Sequence, residues 1–195
     1  AKTETGCCDA SVTDPEILSA KRTIAQAISN MVSNGQTLFI NSGTTSECIA
    51  IALRVRKNLN IVTNSLKVAS ILGAIPTFRV LLVGGEINAR FGFTHGGDAQ
   101  EQLSRYQADW AILSVDGVSA QGGITTCHPE EAILDRLMMA NARKILIAAT
   151  GNKIGTAGFS RICDSDESIQ LITDSTCDPD AYLALQELGV QTAKV

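Results

Sequence analysis

Aromatic residues are scarce: one Trp, two Tyr and five Phe make up 4% of 195 residues. A core without them must rest on Ile, Leu, Val and Ala, which suits the β-branched strands of an α/β protein. Long apolar runs are missing as well. None approaches the roughly 18 residues that a membrane-spanning helix requires. The opening stretch AKTETGCCDASVTDPE has no apolar segment of the secretory-signal kind. Basic clusters are also lacking. The 16 Lys and Arg are scattered singly and the formal net charge is −4. With no basic run and few rings to stack on bases, this chain does not present a nucleic-acid surface. If the protein acts on DNA, the part that does so lies elsewhere. There is no initiator Met, and the expectation is a processed chain or a fragment of a longer one.

Cysteine pairing motifs are absent. Cys7, Cys8, Cys48, Cys127, Cys163 and Cys177 contain no C-x-x-C spacing. Adjacent Cys7 and Cys8 do not easily satisfy disulfide geometry. Reduced thiols in a cytoplasmic protein are expected. One neighbouring pair, Cys127 and His128, does not make a metal site, and neither metal nor cofactor is expected. G-x-S-x-G and G-x-G-x-x-G are both missing. His95 and His128 are the only histidines, and adjacency to Cys127 does not make a Cys–His dyad.

What the chain does contain is alternation. Residues 1–14 are polar and aperiodic, a linker or tail, and residues 15–195 read as one domain. Ile17, Leu18, Ala20, Ile24, Ala25, Ile28 and Met31–Val32 recur at helical spacing. Pro15 follows Asp14, a good N-cap, and Asn34–Gly35 stops the helix. Strand-like and helix-like stretches then alternate: TLFIN, SECIAIALRVR, LNIVTN, LKVASILGA, FRVLLVGG, DAQEQLSRY, DWAILSVDG, PEEAILDRLMMANA, RKILIAAT, SIQLITD, DPDAYLALQELG and VQTAKV. EINARFGFTHGG carries a further strand or a hairpin. The pattern predicts an open, mostly parallel, Rossmann-like sheet with helices on both faces.

The strands end in NSGTT (41–45), TNS (63–65), GG (84–85), VDGVSAQGGITT (115–126), ATGNK (149–153) and TD (173–174). In an open parallel sheet these ends share one edge, and ligands bind there where strand order reverses. Short polar turns are needed in any such fold, but glycine and hydroxyl residues together at so many ends favour a pocket. Gly43 lets backbone approach a ligand. The N–H groups of Thr44, Thr45 and Ser46 would open the next helix, where unpaired donors suit a phosphate. Ser42, Thr44 and Thr45 add hydroxyls. The alternative is plain N-capping by Ser42 or Thr44. Asn64 and Ser65 begin a second helix alongside. Asp116 would accept from a polyol. Glu130 and Glu131 open a later helix, where acidic residues are favourable in any case, and for Glu130 that suffices. Lys153 either pairs with the anion or is an ordinary surface lysine.

In this order and spacing, NSGTT, VTNSLKVASIL, LLVGGE, DGVSAQGGITT, ATGNKIG and LITD resemble the C-terminal sensor domain of DeoR-family transcriptional regulators. The likeness covers about Ser19 to Val195. It implies a fold similar to ribose phosphate isomerase and a sugar phosphate as effector. It also implies a winged helix-turn-helix DNA-binding domain ahead of this chain, a dimer or tetramer, and regulation of carbohydrate genes. By the same resemblance Asn41, Ser42, Gly43, Thr44 and Thr45 would hold the phosphate. Asp116, Gly117, Gly123, Glu131 and Lys153 would meet the sugar, with Asn64, Ser65, Gly85 and Thr125 on the same edge. Two departures stand out. The family commonly has aspartate where this chain has Asn41 and Thr150. The isomerase also has a second aspartate after its DG and a lysine before its glycine run, where this chain offers Ser119 and Gln121. Without such an acid/base pair, proton transfer between sugar carbons has no machinery, so binding without turnover is expected. An isomerase-like enzyme is the alternative.

Overall fold

A computed structural model describes residues 14–195. Cys7, Cys8 and the linker up to residue 13 lie outside the described residues. The elements follow the alternation of the sequence: α1 (Pro15–Met31), β1 (Thr37–Ile40), α2 (Thr44–Ala52), β2 (Asn60–Thr63), α3 (Leu66–Gly73), β3 (Arg79–Leu82), β4 (Glu86–Asn88), β5 (Phe93–His95), α4 (Gly97–Leu103), β6 (Ala108–Ser114), β7 (Gly117–Ser119), β8 (Gly123–Thr126), α5 (Pro129–Ala140), β9 (Ala142–Ala148), β10 (Ser160–Cys163), β11 (Ile169–Thr173), α6 (Pro179–Glu187) and β12 (Gln191–Lys194). Short 3-10 turns occupy Leu53–Val55 and Gly151–Lys153.

Seven strands form one parallel sheet in the order β12-β11-β9-β6-β1-β2-β3. The chain lays β1, β2 and β3 outward in one direction. It then returns to set β6 on the other side of β1 and proceeds through β9, β11 and β12. The gap between the ends of β1 and β6 is therefore the topological switch point. Successive strand residues face opposite sides. Leu38, Ile40, Ile61, Trp110, Ile112 and Leu146 pack with α1, α2 and α3. Phe39, Val62, Ala111, Leu113, Ile147 and Leu171 pack with α4, α5 and α6. Helices cover both faces, as continuous apolar strands demand.

The expected boundaries hold in most places. α1 begins behind Asp14, whose carboxylate accepts from the Glu16 N–H. The glycine-rich stretch after β3 is the antiparallel hairpin β4–β5. Two differences are informative. The stretch 115–126, expected as the tail of one strand, is a hairpin of β7 and β8, which β10 extends into a separate three-stranded sheet. Strands of three or four residues carry too little periodicity to separate from a turn. Cys48, Cys163 and Cys177 are free thiols, whereas Cys127 is disulfide-bonded. That corrects the expectation of reduced thiols throughout. Bridging follows proximity in space, which spacing along the chain does not report. Among the described residues no cluster of His, Cys, Asp and Glu could hold a metal ion, and no helix is long and apolar enough to cross a membrane.

Candidate anion-binding crevice

The turn after β1 lies at the switch point. Gly43 has φ +124°, a conformation that L side chains rarely adopt, and a Cβ there would lie 2.9 Å from the Ser114 hydroxyl oxygen. Glycine thus lets β1 pass straight into α2 against the end of β6. Gly43 is the N-cap of α2, and among the described residues no side chain caps that helix. Capping by Ser42 or Thr44 is not what their hydroxyls do. Ser42 Oγ donates to Glu131 Oε1, and Thr44 Oγ1 accepts from Lys21 Nζ at 2.8 Å. The first-turn N–H groups of α2 are left for another acceptor.

Asn41 makes the frame. Its amide nitrogen donates to the Ser114 carbonyl at 2.9 Å and to Asp135 Oδ1 at 3.0 Å. Its amide oxygen accepts from Ser114 N–H at 2.8 Å and Ser46 Oγ at 3.0 Å. Both donors and both acceptor positions are filled, so Asn41 stitches β1 to β6 and α5 and has nothing left for a ligand.

From Ser42 a continuous polar chain runs across the crevice. Thr126 Oγ1 lies 3.1 Å from both Glu131 Oε2 and Asp116 Oδ2. Asp116 Oδ2 also accepts from the Cys127 N–H at 2.8 Å, and its Oδ1 faces Lys153 Nζ at 3.5 Å. Lys153 also donates to the Val115 carbonyl at 2.5 Å. Burial pushes the Glu131 carboxyl up to about 7, with Asp116 adding to the rise and the Ser42 hydrogen bond opposing it. Asp135, one turn further along α5 and fully buried, is raised well above the usual carboxylate range by burial and by Glu131. Lys21 is lowered by burial and then by Lys153. Two lysines from distant elements, α1 and the turn after β9, therefore bear on one space.

Apart from Asn41, the residues expected to form the site divide into three groups. Ser42, Gly43, Thr44, Thr45, Asp116, Glu131 and Lys153 come together. Gly117, Gly123 and Thr125 serve the small sheet. A Cβ on Gly117 would crowd Thr125 Oγ1 and the Thr156 carbonyl, and one on Gly123 would meet the Cys163 carbonyl. Thr125 Oγ1 accepts from Gly158 N–H at 2.7 Å. Asn64, Ser65 and Gly85 lie to one side. Ser65 caps α3 through the Val68 N–H, Asn64 binds the β5 backbone, and Gly85 lines a cleft of about 240 Å³ with Glu86, His95 and Asp98. Thr150 turns its hydroxyl to Asn152. Ser119 and Gln121 supply no acid/base pair: Ser119 Oγ accepts from Gly122 N–H in the hairpin turn, and Gln121 is exposed. Lys21 went unnoticed in the sequence. Its signal was there, since it shares the stripe of Ile17, Ile24 and Ile28, where a charge is out of place.

The model of the DeoR C-terminal sensor domain matches residues 17–175. The chain is 35% identical over 135 residues to a glycerol-3-phosphate regulon repressor of Escherichia coli, covering 69% of this chain and 54% of that protein. It is 34% identical over 154 residues to the E. coli transcriptional repressor CsqR, covering 79% and 59%. The chain thus spans little more than half the length of these relatives. In structure it resembles ribose 5-phosphate isomerase A from Neisseria gonorrhoeae, with a TM-score of 0.52, 17% identity, and coverage of 72% of this chain and 54% of that one. At that identity the likeness speaks for the fold alone.

Proposed function

Because the chain belongs to the family of DeoR C-terminal sensor domains, we propose that its crevice binds a phosphorylated sugar or polyol and that binding controls DNA attachment by a part of the protein outside this chain. The domain is a sensor and not an enzyme. The observation that carries the ligand class is the uncapped start of α2, with the Lys21 ammonium bonded to Thr44 there and Lys153 near enough to act on Lys21. Helix-start N–H groups and two ammonium groups suit a phosphate. Asp116, held by Lys153 and Cys127 N–H, suits a ligand hydroxyl. The relative named for the glycerol-3-phosphate regulon is consistent with that class. Ser42, Gly43, Thr44, Thr45, Lys21 and Lys153 are assigned to the phosphate, and Asp116 and Glu131 to the hydroxyls. Operators are commonly read by dimers, so self-association accompanies this reading, as does a cytoplasmic place of action.

Thermal unfolding against a panel of sugar phosphates and their free sugars tests it. A ligand at about a hundredfold its Kd adds roughly 2.7 kcal/mol, or a rise of about 5–10 °C for a domain of this size. The expected result is a rise with one phosphorylated compound, absent with its free sugar and much reduced in Thr44→Ala. A panel that leaves the melting temperature unchanged would sink the phosphate assignment.

A further inference from the structure

We propose that anion binding at the Ser42–Thr45 turn is coupled to a proton held on Glu131, with the Ser42 hydroxyl as the switch between them. This rests on the anion reading of the turn. Glu131 is 7% exposed, and its carboxylate accepts from the neutral hydroxyls of Ser42 and Thr126. Asp135 follows it by one helical turn, with Oδ2 buried and without a hydrogen-bond partner among the described residues. Asp116 faces it from the β6–β7 connection and takes Lys153 for itself. His128 stands at the start of the same helix, Lys21 reaches in from α1, and Arg136 bears on Asp135 from behind. Among the described residues, three acids thus crowd a buried space in which Asp116 holds the close ion pair.

Two arrangements fit the same heavy-atom positions. With Glu131 ionised, the Ser42 O–H points back to it and presents lone pairs elsewhere. With Glu131 protonated, its own O–H donates to Ser42 Oγ, and the serine hydrogen is freed to donate to an anion. Burial places the Glu131 transition at about 7, so both arrangements are populated near neutrality. An anion favours the protonated arrangement, and binding takes up a proton from solvent.

The test uses sulfate, which keeps its charge across this range, and titration calorimetry in two buffers of different ionisation heat. Expected are proton uptake on binding above about pH 7 and an affinity falling up to about tenfold per pH unit there, with no such fall below it. Glu131→Gln, which keeps the bulk and stays neutral, should bind sulfate with flat affinity and no proton uptake. Equal affinity at about pH 6 and pH 8.5 with no proton exchange in the unaltered protein overturns the coupling and leaves the anion site standing. A pH dependence that survives in Glu131→Gln also overturns it, since the proton would then lie on another group. No sulfate binding at any pH overturns both readings. The two-buffer measurement on the unaltered protein decides the matter even if the variant does not fold.

Discussion

Asn41 shows how much one side chain decides at a switch point. It satisfies the Ser114 N–H and carbonyl, the Ser46 hydroxyl and one oxygen of Asp135, and it is wholly buried. An aspartate there would have no N–H for the Ser114 carbonyl and would set a second carboxyl against Asp135. The amide is therefore matched to its surroundings in this chain. Removing it leaves several buried groups unpaired, each at a cost of about 1–3 kcal/mol. Asn41→Ala should lower stability by about 2–4 kcal/mol in urea unfolding. A loss within about 0.5 kcal/mol would mean that the β1–β6 junction is held by packing alone. The sequence placed Asn41 at the right strand end but carried no sign of whether it points to ligand or to frame. Direction depends on which strand lies alongside, and that neighbour, β6, comes some seventy residues later in the chain. Lys21 was legible by a different rule. A cation on an apolar stripe needs a partner, and the Thr44 hydroxyl in the turn after β1 is one.

At the scale of elements, the helices and the long strands were readable because their periods repeat often enough to separate 3.6 from 2. The stripe of α1 and the apolar runs of β6 and β9 are of this kind. The small sheet of β7, β8 and β10 was not readable. Its strands are short, and glycines that looked like ligand contacts are there for close packing. Gly123 has φ +73°, and a Cβ there would strike the Cys163 backbone carbonyl and approach Arg161 Nε to 3.0 Å. Gly123→Ala therefore carries both backbone strain and a clash that only movement of β10 relieves. A loss of about 2 kcal/mol or more is expected in urea unfolding, with faster hydrogen exchange confined to β8 and β10. Loss of ligand response with unchanged stability would instead make Gly123 a binding glycine, as the resemblance first implied.

Over the whole molecule, the crevice joins segments that are remote in the chain. β1 and β6 meet at the switch point, α5 supplies Glu131, and the turn after β9 supplies Lys153. α1 is the first element of the described residues, and it enters the crevice through Lys21. A ligand at the α2 start would therefore contact the helix nearest that end, and a differential contact is what a sensor needs to shift an equilibrium. Hydrogen exchange with saturating sulfate tests this route. Protection should rise at the start of α2 and also along residues 17–28 of α1. In Lys21→Met, with sulfate raised to restore occupancy, the α2 protection should persist while the α1 increase is lost. Methionine keeps much of the aliphatic bulk, so a fall in stability beyond about 1 kcal/mol is not expected. If α1 exchanges equally with and without sulfate in the unaltered protein, α1 does not relay the signal. The coupling would then run by another route, of which the Asn41 bonds that fasten β1 to β6 and α5 are one.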